Sequence, residues 1–185
     1  MRIAISGTHY MGKSTLISDF LKLHPEYKSP IEPYYLLQEQ QDVESSLEPS
    51  LDSLLEQLNC SIQQLMSNEE NVIFDRCPVD YLAYAMVCLA EDDIDINDSE
   101  VADLFSDIKI ALDTLDLIVF LPITKEHPID YPEENPAYRK AADRNFKKIY
   151  RDDKCDIFPS FNHPKIIEIY GNPIARLKIL MSYFY

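Results

Sequence analysis

At 185 residues the chain is long enough for one well-buried core and short for two, and 46% hydrophobic with 26% charged residues is the make-up of a water-soluble globular protein. No apolar run approaches the roughly 18 residues that cross a bilayer, and a formal net charge of -15 excludes general binding to nucleic acid, whose phosphates most of the surface would repel. The opening "MRIAIS" is too short for the apolar part of a secretory signal, and Cys60, Cys77, Cys88 and Cys155 have neither CxxC pairing nor zinc-ligand spacing, so the expected setting is a reducing cytoplasm.

"RIAIS" reads as a buried strand. From Lys13, Leu16, Ile17, Phe20, Leu21 and Leu23 recur at helical spacing until Pro25 ends the pattern. Between strand and helix lies "GTHYMGKST", residues 7 to 15, which holds two of the chain's three glycines and matches GxxxxGK[ST], the Walker A or P-loop motif, at Gly7, Gly12, Lys13 and Ser14. Glycine permits the turns that aim successive N–H groups at an anion, and the helix N-terminus adds partial positive charge. Gly7, Thr8, His9, Tyr10, Met11, Gly12, Lys13, Ser14 and Thr15 are therefore the expected nucleotide cradle, with Lys13 on the β- and γ-phosphates of ATP and the Ser14 hydroxyl on Mg2+. His9 either touches a phosphate or is simply exposed.

"YKSPIEPYYLL" is punctuated by proline and reads as a short second strand ending near Glu32. Residues 34–67 are mainly helical, with an apolar stripe through Leu47, Leu51, Leu54, Leu55, Leu58, Ile62 and Leu65 and a fresh start at Pro49 and Ser50. "NVIFD" is the third strand, and Pro78 opens an amphipathic helix. "EDDIDINDSE" is an acidic loop before a helix starting at Ser99 and running to about Thr114. "DLIVFLP" is the fourth strand, 122–135 a loop, 136–151 a basic helix, "KIIEIY" the fifth strand and "IARLKILMSYF" the terminal helix. Strands alternating with helices predict a parallel α/β sheet covered on both faces, in one domain over 1–185.

Asp75 ends an apolar strand, at the edge where open α/β sheets bind ligands, and can hold the Mg2+ shell; Arg76 beside it can grip a phosphate or orient a carboxylate. Between Lys28 and Lys109 there are nineteen acidic residues and one basic residue, Arg76, so that cation has a reason to be there. Glu32 emerges on the same side and either accepts a proton from an attacking hydroxyl or is one more surface acid. Asp80 suits a helix cap better than a substrate contact, and Tyr34, Tyr35, Tyr81 and Tyr84 either stack on a base or pack the core. Residues 139–154 carry seven Lys or Arg against three Asp; Arg139, Arg144 and Arg151 can close on a transferring phosphoryl group as a lid over about 122–154, or pair with the acidic remainder. Gly171, with Asn172 and Pro173, either lets the backbone approach a purine or only turns the chain.

Taken together, "GTHYMGKST", "FDRCPVDYLAYA", "RKAADRNF" and "IIEIYGNPIARL" resemble the P-loop nucleoside and nucleotide kinase group. Within it, the likeness is to the AAA-labelled ATP-binding family that includes the ribosylnicotinamide kinase domain of bacterial NAD regulators. The resemblance implies a three-layer α/β/α P-loop fold, a five-stranded parallel sheet of order 2-3-1-4-5, a helical lid and adenine near the last strand. "IEP" resembles the Glu-Pro of deoxynucleoside kinases, which implies Glu32 as base. The acidic-Gly-x-Arg lid pattern of that family is absent here, since "NPAY" precedes Arg139.

The function expected on these grounds is ATP- and Mg2+-dependent transfer of the γ-phosphate to a small nucleoside or nucleotide, with Lys13, Glu32, Asp75, Arg76, Arg139 and Arg144 as catalytic residues. An acceptor that is already a phosphate scarcely needs a base, and Glu32 would then position it. The alternative is an ATP-binding regulatory switch or slow ATPase with no small-molecule acceptor; a GTPase lacks support, since neither Asn-Lys-x-Asp nor DxxG is present. No membrane partner is expected, and a homodimer is compatible with either reading.

Overall fold

The computed structural model describes residues 1–41, 49–125, 135–159 and 163–184. Strand β1 (Arg2–Ser6) lies between β2 (Val72–Asp75) and β3 (Leu117–Phe120), and β4 (Lys165–Glu168) pairs beyond β3, all in parallel. Successive side chains alternate between the sheet's faces. Ile3, Ile5, Ile73, Leu117 and Val119 therefore pack against helices α1 (Lys13–Leu23) and α7 (Pro173–Met181), through Leu16, Phe20 and Leu180. Ala4, Phe74, Ile118 and Phe120 point the other way. They meet Leu58 of α3 (Leu51–Leu65), Leu82 of α4 (Pro78–Glu91), Ile108 of α5 (Phe105–Leu112) and Phe146 of α6 (Pro136–Asp152). Burial on both faces explains why the strands read as continuous apolar runs.

Among the described residues the sheet has four strands and not the expected five. "YKSPIE" contributes a single parallel bridge at Lys28, whose N–H donates to Asn71 and whose carbonyl accepts from Ile73. Beyond it Pro30 has no N–H to give a ladder, and Pro33 starts helix α2 (Pro33–Gln41) directly after Glu32. The order is β2-β1-β3-β4, which differs from 2-3-1-4-5 by the loss of that strand. The helical stretch 34–67 divides into α2 and α3, with Ser50 capping α3 through Ser53 N–H at 3.2 Å. Leu47 and most of the loop 122–135 lie outside the described residues. The helix expected from Ser99 starts as a 3₁₀ segment at Glu100–Leu104, and the Ser99 hydroxyl donates to the Ile96 carbonyl without capping it. Among the described residues no helix is long and apolar enough to cross a membrane.

Parallel pairing brings the C-terminal ends of β1, β2 and β3 to one edge, with Ser6 beside Phe120 and Ile5 beside Asp75. Residues 7–12, Asp75 and Arg76 all leave the sheet there.

Candidate active site

The chain turns from β1 into α1 through residues 7–12. Gly7 has φ +140°, and a Cβ on it would stand 2.7 Å from the Leu121 backbone oxygen, so no other residue fits where the turn passes the end of β3. Gly12, at φ +78°, opens α1 and takes the Leu16 N–H on its carbonyl. Lys13, the first residue of α1, is 6% exposed, and its Nζ donates to the Thr8 carbonyl at 3.1 Å. It forms no contact ion pair among the described residues; Asp75, Asp80 and Glu32 favour its charge only at longer range, and the remaining desolvation cost falls when an anion reaches it. Burial, reinforced by Arg76, lowers its pKa to about 8. Met11 is buried beneath the turn, whereas Tyr10 and Thr15 are exposed.

Asp75, at the end of β2, accepts the Ser14 hydroxyl on Oδ2 at 2.8 Å, while its Oδ1 is buried with no hydrogen-bond partner. A hydroxyl and a carboxylate with an orphaned oxygen, at the start of the helix that follows the P-loop, form an oxygen-only donor set that suits Mg2+. Arg76 follows at φ +76°, a region that a bulky side chain occupies only when its surroundings hold it there. Those surroundings are explicit. Its N–H donates to Ile5 O at 2.9 Å, its Nε to Glu32 Oε1 at 2.5 Å, and its Nη1 to Gly7 O at 3.2 Å and Asp80 Oδ1 at 3.3 Å.

Asp80 is fully buried on the first turn of α4, and burial raises its pKa against the pull of Arg76 and Lys13. It accepts the N–H of Gly7 and of Cys77, each at 3.1 Å, so it caps α4 and ties that helix to the P-loop. From α6, Tyr150 donates its hydroxyl to Ser6 Oγ at 2.7 Å and thereby joins the same buried network.

These groups open into one cavity of about 630 Å3, within the usual range for small-molecule sites. Its walls are His9 to Thr15 (except Met11), Glu32, Asp75, Arg76, five tyrosines (Tyr34, Tyr35, Tyr81, Tyr84 and Tyr138), and Leu54, Gln57, Pro49 and Asn135. A recess of about 720 Å3 between α1 and residues 29–32 shares Ser14, Glu32, Tyr35 and Asp75 with it. The cradle, Glu32, Asp75 and Arg76, far apart in sequence, are thus brought together.

Other expected residues fall elsewhere. Arg144 lies on the exposed side of α6, outside the cavity wall. Arg139 turns inward instead, is buried, and donates to the His9 carbonyl at 3.0 Å and Met11 Sδ at 2.9 Å. Gly171, Asn172 and Pro173 follow β4 at the same sheet edge but do not line the cavity; Asn172 caps α7 through Ala175 N–H at 2.9 Å. Two residues escaped the sequence reading. Gln57 is a buried amide on α3, and a polar residue one turn after Leu54 and directly before Leu58 was the available signal. Arg176 is a buried guanidinium that donates to the Met11 carbonyl under the P-loop, while its Nε has no partner. Its signal was a cation within the apolar terminal helix.

No family model and no curated protein sequence matches the chain. Solved structures do. A deoxyadenosine kinase from M. mycoides, with dCMP and a flexible dCDP bound, is 20% identical and superposes with a TM-score of 0.69, covering 100% of this chain and 98% of that one. It has the fold of that kinase. The same kinase with bound dATP gives a TM-score of 0.67 at 18% identity. The NadR protein in complex with NR gives 0.63 at 13% identity, over 98% of this chain and 50% of the NadR chain. Identities this low establish a shared architecture only: a parallel α/β sheet with helices, as in P-loop nucleoside kinases.

Proposed function

We propose that the protein is a phosphotransferase that moves the γ-phosphate of ATP to the hydroxyl of a small nucleoside, in one domain spanning residues 1–185. The observation that carries this reading is the placement of Glu32: its carboxylate, fixed by Arg76 at 2.5 Å, stands in the same cavity as the P-loop. A carboxylate in that position accepts the proton of an attacking hydroxyl, which an acceptor that is already a phosphate would not need. The backbone amides of residues 8–14 and Lys13 hold the triphosphate, and Arg76 and Arg139 stabilise charge on the transferring group. Ser14 and Asp75 would hold Mg2+, which when bound neutralises charge between the β- and γ-phosphates.

The donor base is assigned to the turn at Gly171, Asn172 and Pro173, which Arg176 links to the P-loop through Met11. Residues 34–67 form the acceptor side, and 122–154 the closing segment. That a solved structure of the same architecture holds dCMP supports a nucleoside-sized acceptor. The test is ATP turnover with and without a panel of nucleosides and nucleotides, products being identified by mass spectrometry. Strong stimulation by one nucleoside, with a monophosphate product, is expected; ATP hydrolysis indifferent to every acceptor would overturn the reading.

A further inference from the structure

His9 is held through its backbone and its ring to one atom. Its backbone N–H donates to the Tyr84 hydroxyl at 3.0 Å, and its ring Nδ1 lies 2.9 Å from the same oxygen. Tyr84 stands on α4, stacked on Tyr138 at 5.7 Å between ring centroids, with the Arg76 guanidinium carbon 5.7 Å from its own ring centre. A phenol has one proton to give. The Tyr84 oxygen already accepts from His9 N–H, and among the described residues the one hydrogen-bond acceptor within reach of its own proton is His9 Nδ1. Nδ1 is therefore bare.

Burial, with Arg76, Arg139 and Lys13 nearby, pushes the pKa of His9 down to about 4, so the imidazole is neutral and its single proton sits on Nε2. Nε2 makes no hydrogen bond among the described residues, and His9 lines the cavity together with Lys13 and Arg76. A third cation would be repelled by those two. A neutral N–H adds a donor at no such cost.

We propose that His9 Nε2–H donates a hydrogen bond to the transferring phosphoryl group, and that Tyr84 is the positioning residue that fixes the imidazole tautomer. The proposal rests on the phosphotransferase reading and adds a side-chain donor that the P-loop motif does not contain. A donor held in place before the reaction needs no reorganisation when charge develops on the phosphoryl oxygens.

The test uses the full chain with 15N-labelled histidine, His9 being assigned by difference from its variants. At pH 7 the His9 Nδ1 resonance should be that of an unprotonated nitrogen and Nε2 that of a protonated one, and adding AMP-PNP with Mg2+ should move Nε2 more than Nδ1. Tyr84→Phe should give a mixture of tautomers. In kinetics, His9→Gln, whose amide nitrogen takes the place of Nε2, should retain at least about tenfold more kcat than His9→Asn. His9→Asn, which reaches only the Nδ1 position, should lower kcat by about 10- to 100-fold with little change in KM for ATP. A proton on Nδ1, an Nε2 signal indifferent to AMP-PNP, or wild-type kcat in His9→Asn overturns the proposal. The spectra need no acceptor, so an Nε2 response in a protein that phosphorylates nothing upholds the phosphate contact and removes the phosphotransferase reading.

Discussion

Lys13 concentrates the energetics of the site in one side chain. Its ammonium is buried against a carbonyl with no carboxylate in contact among the described residues, Asp75, Asp80 and Glu32 acting on it only from a distance, so the apo protein bears a desolvation cost that a bound triphosphate would relieve. Lys13→Met should therefore lower kcat by at least about a hundredfold while leaving the thermal midpoint unchanged or higher, and a simultaneous loss of both would show a structural role instead. The same charge gives a pH dependence of known sign. Between about pH 8 and 10.5 the unfolded chain binds a proton at Lys13 that the folded chain does not, so this group's contribution to stability rises with pH across that window. Nucleotide binding runs the opposite way. Phosphate favours the ammonium, so ATP affinity should be level below pH 8 and fall above it, with proton uptake visible as a buffer-dependent heat in calorimetry. For Glu32→Gln the expected result is a large fall in kcat with KM for ATP nearly unchanged; a pure rise in KM would make Glu32 a binding group. Lys13, Ser14 and Asp75 were legible because a strand, a motif and a helix place them by local sequence alone. The Glu32–Arg76 pair was not, since its members are 44 positions apart and only the packed sheet brings them within 2.5 Å.

At the scale of elements, the apolar periodicities located helices well because each buries one stripe against the sheet. The expected strand before Glu32 failed for a local reason: Pro30 and Pro33 remove two donors within four residues, and pairing stops after Lys28. Three elements meet at Ser6, where Tyr150 of α6 donates at 2.7 Å beside the Asp80 carboxylate of α4. This contact fixes the root of the P-loop to two helices. Tyr150→Phe and Ser6→Ala should each cost about 1–2 kcal/mol in urea unfolding, and the double variant less than their sum, because the bond between them is shared while Ser6 also meets Asp80 and Tyr150 also meets Cys77. Full additivity would mean that the two side chains act separately. Helix α6 also separates the two arginines proposed for the site. Arg139 and Arg144 are five residues apart and so face different directions on a helix, one toward the P-loop and one toward solvent. Sequence spacing alone could not choose between them, because the choice depends on which face packs against α4.

For the molecule as a whole, charge is the organising feature. A chain of net charge -15 gathers Lys13, Arg76, Arg139 and Arg176 around one turn, buried or nearly so, while its surface acids face water. Much of the basic helix is spent on structure: Arg151 forks onto Glu168 at 2.7 and 2.8 Å, and Lys147 holds Asp143 at 2.5 Å. The inward-facing cations surround the P-loop turn, and the sheet's parallel topology is what collects them at one edge. Titration calorimetry of the full chain with ATP at millimolar Mg2+, alongside Lys13→Met, addresses this arrangement most directly. One site per chain that binds ATP and is lost in the variant is the predicted result; no binding by folded wild-type protein, or equal binding by both, would contradict it.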